Sequence, residues 1–350
     1  MNTLNYIGSK HTLCPSLLYI ISNEIPDLKE KSFLDLFAGT GSVSFRFQNI
    51  VKISGANDLE YYSFVINNAL LKCPFSNKLH NLLEECNQLQ EVEGLIYDNY
   101  SCNDHCERMF FTNSNAKKCD AIRQYIEELK LTNIININEY YFLLASLLVS
   151  MDKVANTSCV YGAYLKNYKK SALKDLLVTP IHTNDKINEE QNKVYNLPAE
   201  ELSIKDEFYD IVYMDPPYNQ RQYSANYCPL NYIALYNKNI ELKGKTGLIN
   251  GYNKSKFCSK LTVKESFKQI LDNIKCNHIF ISYNNEGLLE YNKMKNLFAS
   301  YGELKIYKIE YKKFKAQQNV DGDNVYEYLW YINKTLPPSD LIEEIEMNQI

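Results

Sequence analysis

Short apolar runs and longer amphipathic segments alternate at both ends of the chain. Runs rich in β-branched and aromatic residues are typical of buried strands, and they occupy residues 33–37, 51–56, 194–196, 209–214 and 277–284. Helical periodicity occupies residues 13–25, 43–48, 61–72, 263–275 and 288–300. Strands that alternate with helices in this way predict an α/β fold with a mostly parallel sheet.

The pattern changes between residues 71 and 194, where the strand runs disappear and the composition becomes helical and polar. We therefore predict an inserted, mostly helical domain over 71–194, and an α/β domain divided between 1–70 and 195–336. Strand patterns at 304–314 and 325–333 flank the turn dipeptide Asp321-Gly322, which predicts a terminal β-hairpin. The acidic stretch 340–347 predicts a short surface helix or a C-terminal tail within residues 337–350.

Charge and cysteine content narrow the class of protein. A net charge of -4 and a pI near 5.9 exclude a globally basic protein, so a nucleic-acid partner requires a local basic face. Ten cysteines at irregular spacing, with no signal peptide at the N-terminus, favour a reduced, cytoplasmic protein. The longest apolar run, residues 141–149, is too short to span a bilayer, so we expect no membrane association.

Three local clusters have a functional and a structural interpretation. The cysteines and the histidine between residues 102 and 119 lack the paired C-x-x-C spacing of zinc sites, so we predict no metal. Residues 166–170, with Lys174 beyond them, interleave lysines with a tyrosine and are candidates for phosphate contact; a solvated lysine face has the same pattern. Three glycines and four lysines between residues 243 and 256 predict a mobile basic loop.

One tetrapeptide has the most specific chemistry in the chain. Asp215-Pro216-Pro217-Tyr218 follows the strand run 209–214, and open α/β sheets bind ligands outside the carboxyl ends of their strands. Two consecutive prolines fix φ twice and stiffen the loop. The Asp215 carboxylate and the Pro216 carbonyl are suitable acceptors for the two N–H bonds of an exocyclic amino group, and the Tyr218 ring can stack on a base. A solvated Asp-Pro turn is the alternative.

A glycine-rich turn joins the first predicted strand to the helical pattern at 43–48. Phe37, Gly39 and Gly41 have the spacing F-x-G-x-G, without the third glycine of the dinucleotide fingerprint. A cofactor without phosphates, such as S-adenosylmethionine, needs only a close approach of the backbone and does not need a phosphate site. Asp58 follows the second strand, where an acid about 20 residues after the glycines binds a ribose diol; capping of the next helix is the alternative.

Together these motifs resemble those of the Dam-like adenine-specific DNA N6-methyltransferases. The family's N-terminal motif matches residues 6–10, its F-x-G-x-G motif matches residues 37–41, and its catalytic motif matches residues 215–218. The resemblance implies a Rossmann-like S-adenosylmethionine-dependent methyltransferase sheet. It implies a cofactor-binding set of eight residues, namely Tyr6, Lys10, Asp35, Phe37, Gly39, Gly41, Asp58 and Asp215. The implied catalytic set is Asp215, Pro216 and Tyr218.

The resemblance also implies a reaction and partners. We expect a site-specific enzyme that methylates N6 of a flipped-out adenine in double-stranded DNA, and that acts as a monomer. We further expect it to belong to a restriction-modification system with a cognate restriction endonuclease. Residues 71–194 are then the target-recognition region, in which Asn156-Thr157 and residues 161–166 look like one subgroup of the family. Arg221 is a candidate contact to phosphate or a base edge, or a surface arginine.

One feature departs from the family pattern, and other functions remain as alternatives. The family often has an acid after the third strand that holds the cofactor's adenine; Pro198 stands there, and Glu200 or Glu201 is a candidate substitute. An RNA N-methyltransferase with the same tetrapeptide and a non-catalytic DNA-binding relative are the nearest alternatives. A dinucleotide-dependent oxidoreductase is disfavoured by the missing third glycine.

Overall fold

The computed structural model describes residues 4–184, 187–311 and 325–350, and its centre is one eight-stranded sheet. The strands in chain order are β1 (Ser32–Asp35), β2 (Ile53–Asn57), β3 (Cys102–Asn103), β4 (Cys106–Glu107), β5 (Lys193–Tyr195), β6 (Phe208–Met214), β7 (Leu242–Lys243), β8 (Leu248–Ile249), β9 (Lys275–Asn284), β10 (Glu303–Tyr311), β11 (Val325–Asn333) and β12 (Glu343–Asn348). The order in the sheet is β12-β10-β11-β9-β6-β1-β2-β5.

Five neighbouring strands of the sheet are parallel. Because β5, β2, β1, β6 and β9 run in one direction, their carboxyl ends share one edge of the sheet. β11 runs antiparallel to both β9 and β10. This architecture confirms the predicted α/β, Rossmann-like sheet, and β10 with β11 confirms the terminal hairpin; the predicted Asp321-Gly322 turn lies outside the described residues.

Helices cover both faces of the sheet. In chain order the α-helices of the described ranges are α1 (Cys14–Glu24), α2 (Ser42–Phe47), α3 (Tyr61–Lys72), α4 (Asn77–Gln88), α5 (Leu95–Tyr100), α6 (Asn113–Leu131), α7 (Ile137–Lys153), α8 (Ala199–Ser203), α9 (Tyr223–Asn226), α10 (Cys228–Leu235), α11 (Val263–Asn273) and α12 (Tyr291–Phe298). Alternate residues of each strand point to opposite faces. Tyr213 therefore packs with α1 and α2, whereas Met214 packs with α8, α11 and α12.

A separate apolar cluster lies among helices α3 to α7 and α10. The longest of these helices is α6. Its N-cap residue is Thr112, whose hydroxyl accepts a hydrogen bond from the amide of Asn115. α7 begins with a capping box formed by Asn136 and Glu139. The helical pattern predicted between residues 71 and 194 therefore appears as α4 to α7, packed with α3 and α10 from the flanking sequence. Within the described part of the chain, no helix has the length and apolarity to cross a bilayer.

Two segments differ from what their composition predicted. The acidic C-terminal stretch forms β12, which pairs in parallel with β10 at the sheet edge instead of forming a short helix or a tail. Its side chains alternate, so Ile345 and Met347 pack on the cluster beneath α1 and Glu346 pairs with Lys308 at 2.8 Å. The predicted basic loop contains an antiparallel ribbon, because β7 pairs with β8 across four residues that include Gly244 and Gly247 in the left-handed region.

Candidate active site

The carboxyl ends of β1, β2 and β6 border a cavity of about 230 Å³. Seven residues of the predicted site line it, namely Tyr6, Lys10, Asp35, Phe37, Gly39, Asp58 and Asp215. Gly41, Pro216 and Tyr218 lie outside the lining, although Pro217 of the same tetrapeptide belongs to it. The fold thus brings the N-terminal motif, the glycine turn, the acid after β2 and the tetrapeptide to one place.

The glycine turn is held by the acid at the end of β2. Gly39 and Gly41 have φ values of 50° and 76°, which L-residues with side chains rarely adopt. The Gly39 amide donates a 2.8 Å hydrogen bond to Oδ2 of Asp58, and the Glu60 amide donates one of 2.8 Å to Oδ1. Burial raises the pKa of Asp58 to about 6, against the opposing effect of these hydrogen bonds. Asp58 therefore fixes the turn, whatever else it binds.

Asp35, at the end of β1, offers an unused acceptor beside the cavity. Its Oδ2 accepts a 3.2 Å hydrogen bond from the Ser44 amide, while Oδ1 is buried without a hydrogen-bond partner among the described residues. Burial raises the pKa of the carboxyl well above its ordinary value. Oε1 of Glu200, which also lines the cavity, is buried and unpartnered in the same way. Two orphaned carboxylate oxygens suit a ligand that carries positive charge and N–H donors, because unmet buried acceptors are costly.

Lys10 connects the N-terminal motif to the tetrapeptide. Its ammonium nitrogen lies 3.0 Å from Oδ1 of Asp215 and 3.0 Å from Oε1 of Glu327, and Lys10 is almost fully buried. Burial lowers the pKa of Lys10, yet the two carboxylates outweigh it and raise that pKa well above its ordinary value. Burial raises the pKa of Asp215 to about 6, opposed by Lys10 and reinforced by Glu327. Sequence reasoning missed Glu327, whose only local signal is a lone acid in the apolar strand β11.

Tyrosines that follow the tetrapeptide hold the N-terminal segment over the cavity. The Tyr6 ring stacks on Tyr227, with centroids 4.8 Å apart, and lies 5.3 Å from the Tyr223 ring. The Ile7 amide donates a 2.8 Å hydrogen bond to the Tyr227 hydroxyl. A side chain on Gly8 would approach the Tyr223 hydroxyl to 3.1 Å. Helices α9 and α10 therefore position the segment that carries Tyr6 and Lys10.

The remaining parts of the tetrapeptide have structural contacts. Tyr218 is half-buried and packs against the apolar cluster that contains α11 and α12. Its carbonyl accepts a 3.0 Å hydrogen bond from the Leu288 amide, which fixes the loop to the segment after β9. Pro216 is buried. The loop is thus anchored at both ends, by Lys10 at Asp215 and by Leu288 at Tyr218.

Other candidate residues from the sequence lie in different environments. Lys169, within the predicted basic segment, donates a 2.6 Å hydrogen bond to the Thr157 carbonyl, so it supports the fold. Arg221 is exposed. In the described ranges, no group of three or more His, Cys, Asp or Glu side chains has the arrangement to hold a metal ion. Lys254 and Lys256, which follow the β7–β8 ribbon, line the cavity.

A family model supplies the decisive comparison. The model of the D12 class N6 adenine-specific DNA methyltransferases matches residues 6–313. The chain belongs to this family. Type II methyltransferase M.NlaIII of Neisseria lactamica is 46% identical over 95% of this chain and 100% of that protein. Type II methyltransferase M.CviAII of Paramecium bursaria Chlorella virus 1 is 43% identical over 95% of this chain and 99% of that protein.

A third relative is longer. Type II methyltransferase M.FokI of Planomicrobium okeanokoites is 35% identical over 95% of this chain, which corresponds to 53% of that protein. Membership of the D12 class confirms the predicted resemblance to Dam-like enzymes. The protein is a DNA adenine N6-methyltransferase that uses S-adenosylmethionine, and DNA is its substrate. The orphaned oxygens of Asp35 and Glu200 fit this cofactor, because it carries an ammonium and an adenine amino group.

Proposed function

We propose that the cavity is the methyl-transfer site and that Asp215 orients the amino group of the target adenine. The observation that carries this proposal is the contact between Lys10 and Oδ1 of Asp215, at 3.0 Å in a largely buried setting. Lys10 fixes the carboxylate and leaves Oδ2 as an acceptor for an N–H bond. The Pro216 carbonyl is the candidate acceptor for the second N–H bond, because the stiff Pro-Pro loop keeps it next to Asp215.

When bound, S-adenosylmethionine supplies an electrophilic methyl group on its sulfonium sulfur. The residues proposed to hold it are those that line the cavity and have matching chemistry. Asp35 accepts from the methionine ammonium, and Glu200 accepts from the adenine amino group in place of the acid that Pro198 replaces. Asp58 and the Gly39 turn form the wall on the ribose side, and Tyr6 packs over that turn. Phe37 completes this wall from the lining, whereas Gly41, which lies outside the lining, supports the turn as the residue before α2.

The target adenine must leave the duplex to reach these groups. In the helix its N6 is paired and stacked, and flipping it out costs a few kcal/mol. We assign Tyr218 the role of a stacking surface, worth about 1–3 kcal/mol per base in comparable complexes. Orientation of the amino group by two acceptors then lowers the barrier by placing its lone pair toward the donor. A proton leaves N6 after transfer, and the Asp215 carboxylate is the nearest proposed base.

Contacts with the duplex are assigned to the helical segment and to the β7–β8 ribbon. Lys243 and Lys245 are exposed on this ribbon, and Lys254 and Lys256 continue the basic surface to the edge of the cavity. A two-stranded ribbon fits the major groove, and lysines supply phosphate contacts. Residues 71–194 are proposed as the target-recognition region. The division of the chain into this region and an α/β domain remains a prediction.

The biological setting is proposed from the relatives. Because the relatives named above are type II methyltransferases, we place this enzyme in a restriction-modification system, where it protects sites that a cognate endonuclease cuts. We propose, as the resemblance to the family implies, that it acts as a monomer. A cytoplasmic location agrees with ten cysteines that are all free thiols in the structure.

Sequencing that detects N6-methyladenine tests the central proposal. Unmethylated plasmid DNA incubated with the purified protein and S-adenosylmethionine should acquire N6-methyladenine at one short sequence. Asp215→Ala should lose this methylation while keeping its circular dichroism spectrum. Asp206→Ala removes an exposed acid that precedes the amino end of β6, and this variant should methylate DNA normally. Near-normal methylation by Asp215→Ala would contradict the role assigned to Asp215.

A further inference from the structure

Three charged side chains from distant parts of the chain meet beside the cavity. Lys10 comes from the short 3-10 helix before α1, Asp215 follows β6, and Glu327 lies in β11. The Lys10 nitrogen is 3.0 Å from each carboxylate, and the side chains of Lys10 and Glu327 are only 9% and 11% exposed. Family motifs cover Lys10 and Asp215 but assign nothing to Glu327.

The sheet explains how Glu327 reaches the site. Glu327 lies in β11, opposite Asn284 of the neighbouring strand β9 and opposite Ile309 of the neighbouring strand β10. Leu329, two residues further along β11, packs in the same apolar cluster as Tyr213, two residues before Asp215. Because side chains alternate along strands, Glu327 and Asp215 are presented toward the same face, where the 3-10 helix with Lys10 also lies. Glu327 therefore reaches the tetrapeptide after β6 from β11, although β9 lies between these two strands in the sheet.

The burial of Glu327 needs an explanation. A carboxylate removed from water is costly unless a cation or hydrogen bonds compensate. Within the described residues Oε1 of Glu327 has the ion pair with Lys10 but no well-aligned hydrogen bond. Lys10 already has Asp215 as a partner, so the second acid is not required to neutralise it. The cluster instead holds one cation between two acids, with a net negative charge beside the reacting groups.

We propose that Glu327 is a positioning residue, which anchors the Lys10 ammonium against one oxygen of Asp215 and adds a second negative charge beside it. Because Lys10 is shared between two carboxylates, it stays in contact with Asp215 but does not fully neutralise the charge of Asp215. Oδ2 of Asp215 thus stays a strong acceptor for the N–H bond of the substrate. This inference rests on the proposed role of Asp215 and adds a residue that neither the motifs nor the comparisons identify.

The charges around Asp215 fix the direction of the expected pH effect. Several elements contribute titratable groups that interact electrostatically with Asp215. These groups are Lys10, Asp35, Tyr213, Tyr218, Tyr223 and Glu327. Burial raises the pKa of each of these tyrosines, so they stay neutral, and Lys10 stays charged. Removing the Glu327 charge removes a repulsion, so the pKa of Asp215 should fall.

The test is the pH dependence of single-turnover methylation at DNA and S-adenosylmethionine concentrations far below saturation, where the rate reports ionisation of the free enzyme. For the wild type, the rate should rise as Asp215 ionises, through about pH 6. For Glu327→Gln, this acidic limb should move to lower pH by roughly half a unit to one unit, because a neighbouring like charge is gone. Glu303→Gln, at the opposite end of the same hairpin, should leave the profile unchanged.

Two outcomes would overturn the inference. One is a Glu327→Gln profile with the wild-type midpoint and only a lower plateau, which is what a structural role alone predicts. If Glu327→Gln does not fold, Glu327→Asp keeps the charge and shortens the side chain. The acidic limb of the Glu327→Asp profile should keep the wild-type midpoint, while the plateau rate of this variant falls severalfold. An unchanged plateau rate would be the second outcome that contradicts the inference. A wild type that methylates no adenine would instead refute the proposed function itself.

Discussion

Asn5 and Asp152 are joined through a single carboxylate oxygen. The amide and the side-chain nitrogen of Asn5 donate hydrogen bonds of 2.8 and 3.0 Å to Oδ2 of Asp152. The Tyr161 hydroxyl donates one of 2.8 Å to Oδ1. Asp152 is buried in the last turn of α7. The segment that carries Tyr6 to the cavity is therefore tied to the helical layer by one acid.

Asp152→Ala should loosen this segment and destabilise the fold. The substitution leaves the buried Tyr161 hydroxyl without its acceptor and removes both hydrogen bonds of the exposed Asn5. A buried unpaired polar group costs about 1–3 kcal/mol. We expect the free energy of unfolding in urea to fall by roughly 2 kcal/mol or more. Glu128→Ala, which removes an exposed acid from α6, should change it by less than about 0.5 kcal/mol. Equal stability of the two variants would show that the Asp152 hydrogen bonds contribute little.

Local patterns were enough to predict most of the sheet and several of the residues that line the cavity. β1 and β6 are short apolar runs, and the glycine turn and the tetrapeptide follow them directly in the sequence. The chemistry of Asp58 and Asp215 depends on where their strands end, which the pattern of side chains specifies. For these residues, the chain neighbours that determine the local structure also determine the site.

Features that depend on distant partners could not be predicted in this way. Glu327 gains its role from Lys10, which lies at the other end of the chain, and nothing near Glu327 in the sequence indicates that partner. β12 needs the open edge of β10 to form a strand, and its glutamates suggested a solvated tail or helix. In both cases tertiary pairing decided the outcome, and pairing across the sheet is not a local property.

Gly39→Ala should weaken cofactor binding. Gly39 has a φ of 50°, and a Cβ there would lie 3.0 Å from the Tyr6 ring beside the cavity. The backbone cost of about 1–2 kcal/mol and the displaced ring should together lower affinity for S-adenosylmethionine by roughly tenfold or more. Isothermal titration calorimetry measures this directly.

Gly251→Ala is a matched control for that substitution. Gly251 also has a left-handed φ, of 74°, but a Cβ there meets no heavy atom within 4 Å. The Gly251→Ala variant should have a lower melting temperature because of backbone strain. Its affinity for S-adenosylmethionine should not change. Similar losses of affinity in both variants would mean that strain, and not the geometry of the turn, explains the effect.

The β7–β8 ribbon should bind DNA phosphates. Arg108 holds it in place, since Nε donates a 3.2 Å hydrogen bond to the Lys245 carbonyl and Nη2 one of 3.2 Å to the Gly244 carbonyl. We expect the double substitution Lys243→Ala/Lys245→Ala to weaken binding to duplex DNA. The plot of log affinity against log salt should become shallower by about 0.9 for each phosphate that these lysines neutralise in the wild type. Fluorescence anisotropy at several salt concentrations measures both quantities.

Lysines at the other edge of the sheet provide the comparison. Lys52 precedes β2 and Lys275 begins β9, so both lie at the amino ends of parallel strands, away from the cavity. Lys52→Ala/Lys275→Ala removes the same net charge and should leave the salt slope unchanged. An equal reduction of the slope by both pairs would indicate a general charge effect and no specific phosphate binding by the ribbon.

Glu60 should make stability fall as pH rises. Its buried carboxylate accepts hydrogen bonds from the Ser224 hydroxyl and, at 2.6 Å, from Nδ2 of Asn231. Burial raises the pKa of Glu60 from 4.5 to about 7. The folded state therefore binds this proton more tightly than the unfolded state, so the contribution to stability is fully present below about pH 4.5 and is lost as pH rises through 7.

Glu60→Gln separates this contribution from those of other acids. The variant cannot ionise, so the difference in unfolding free energy, wild type minus variant, should decrease between about pH 5 and pH 8. Urea denaturation at several pH values measures it. If the Glu60→Gln difference were constant, Glu60 would have the same pKa in the folded and unfolded states, and its burial among Ser224 and Asn231 would not perturb its ionisation.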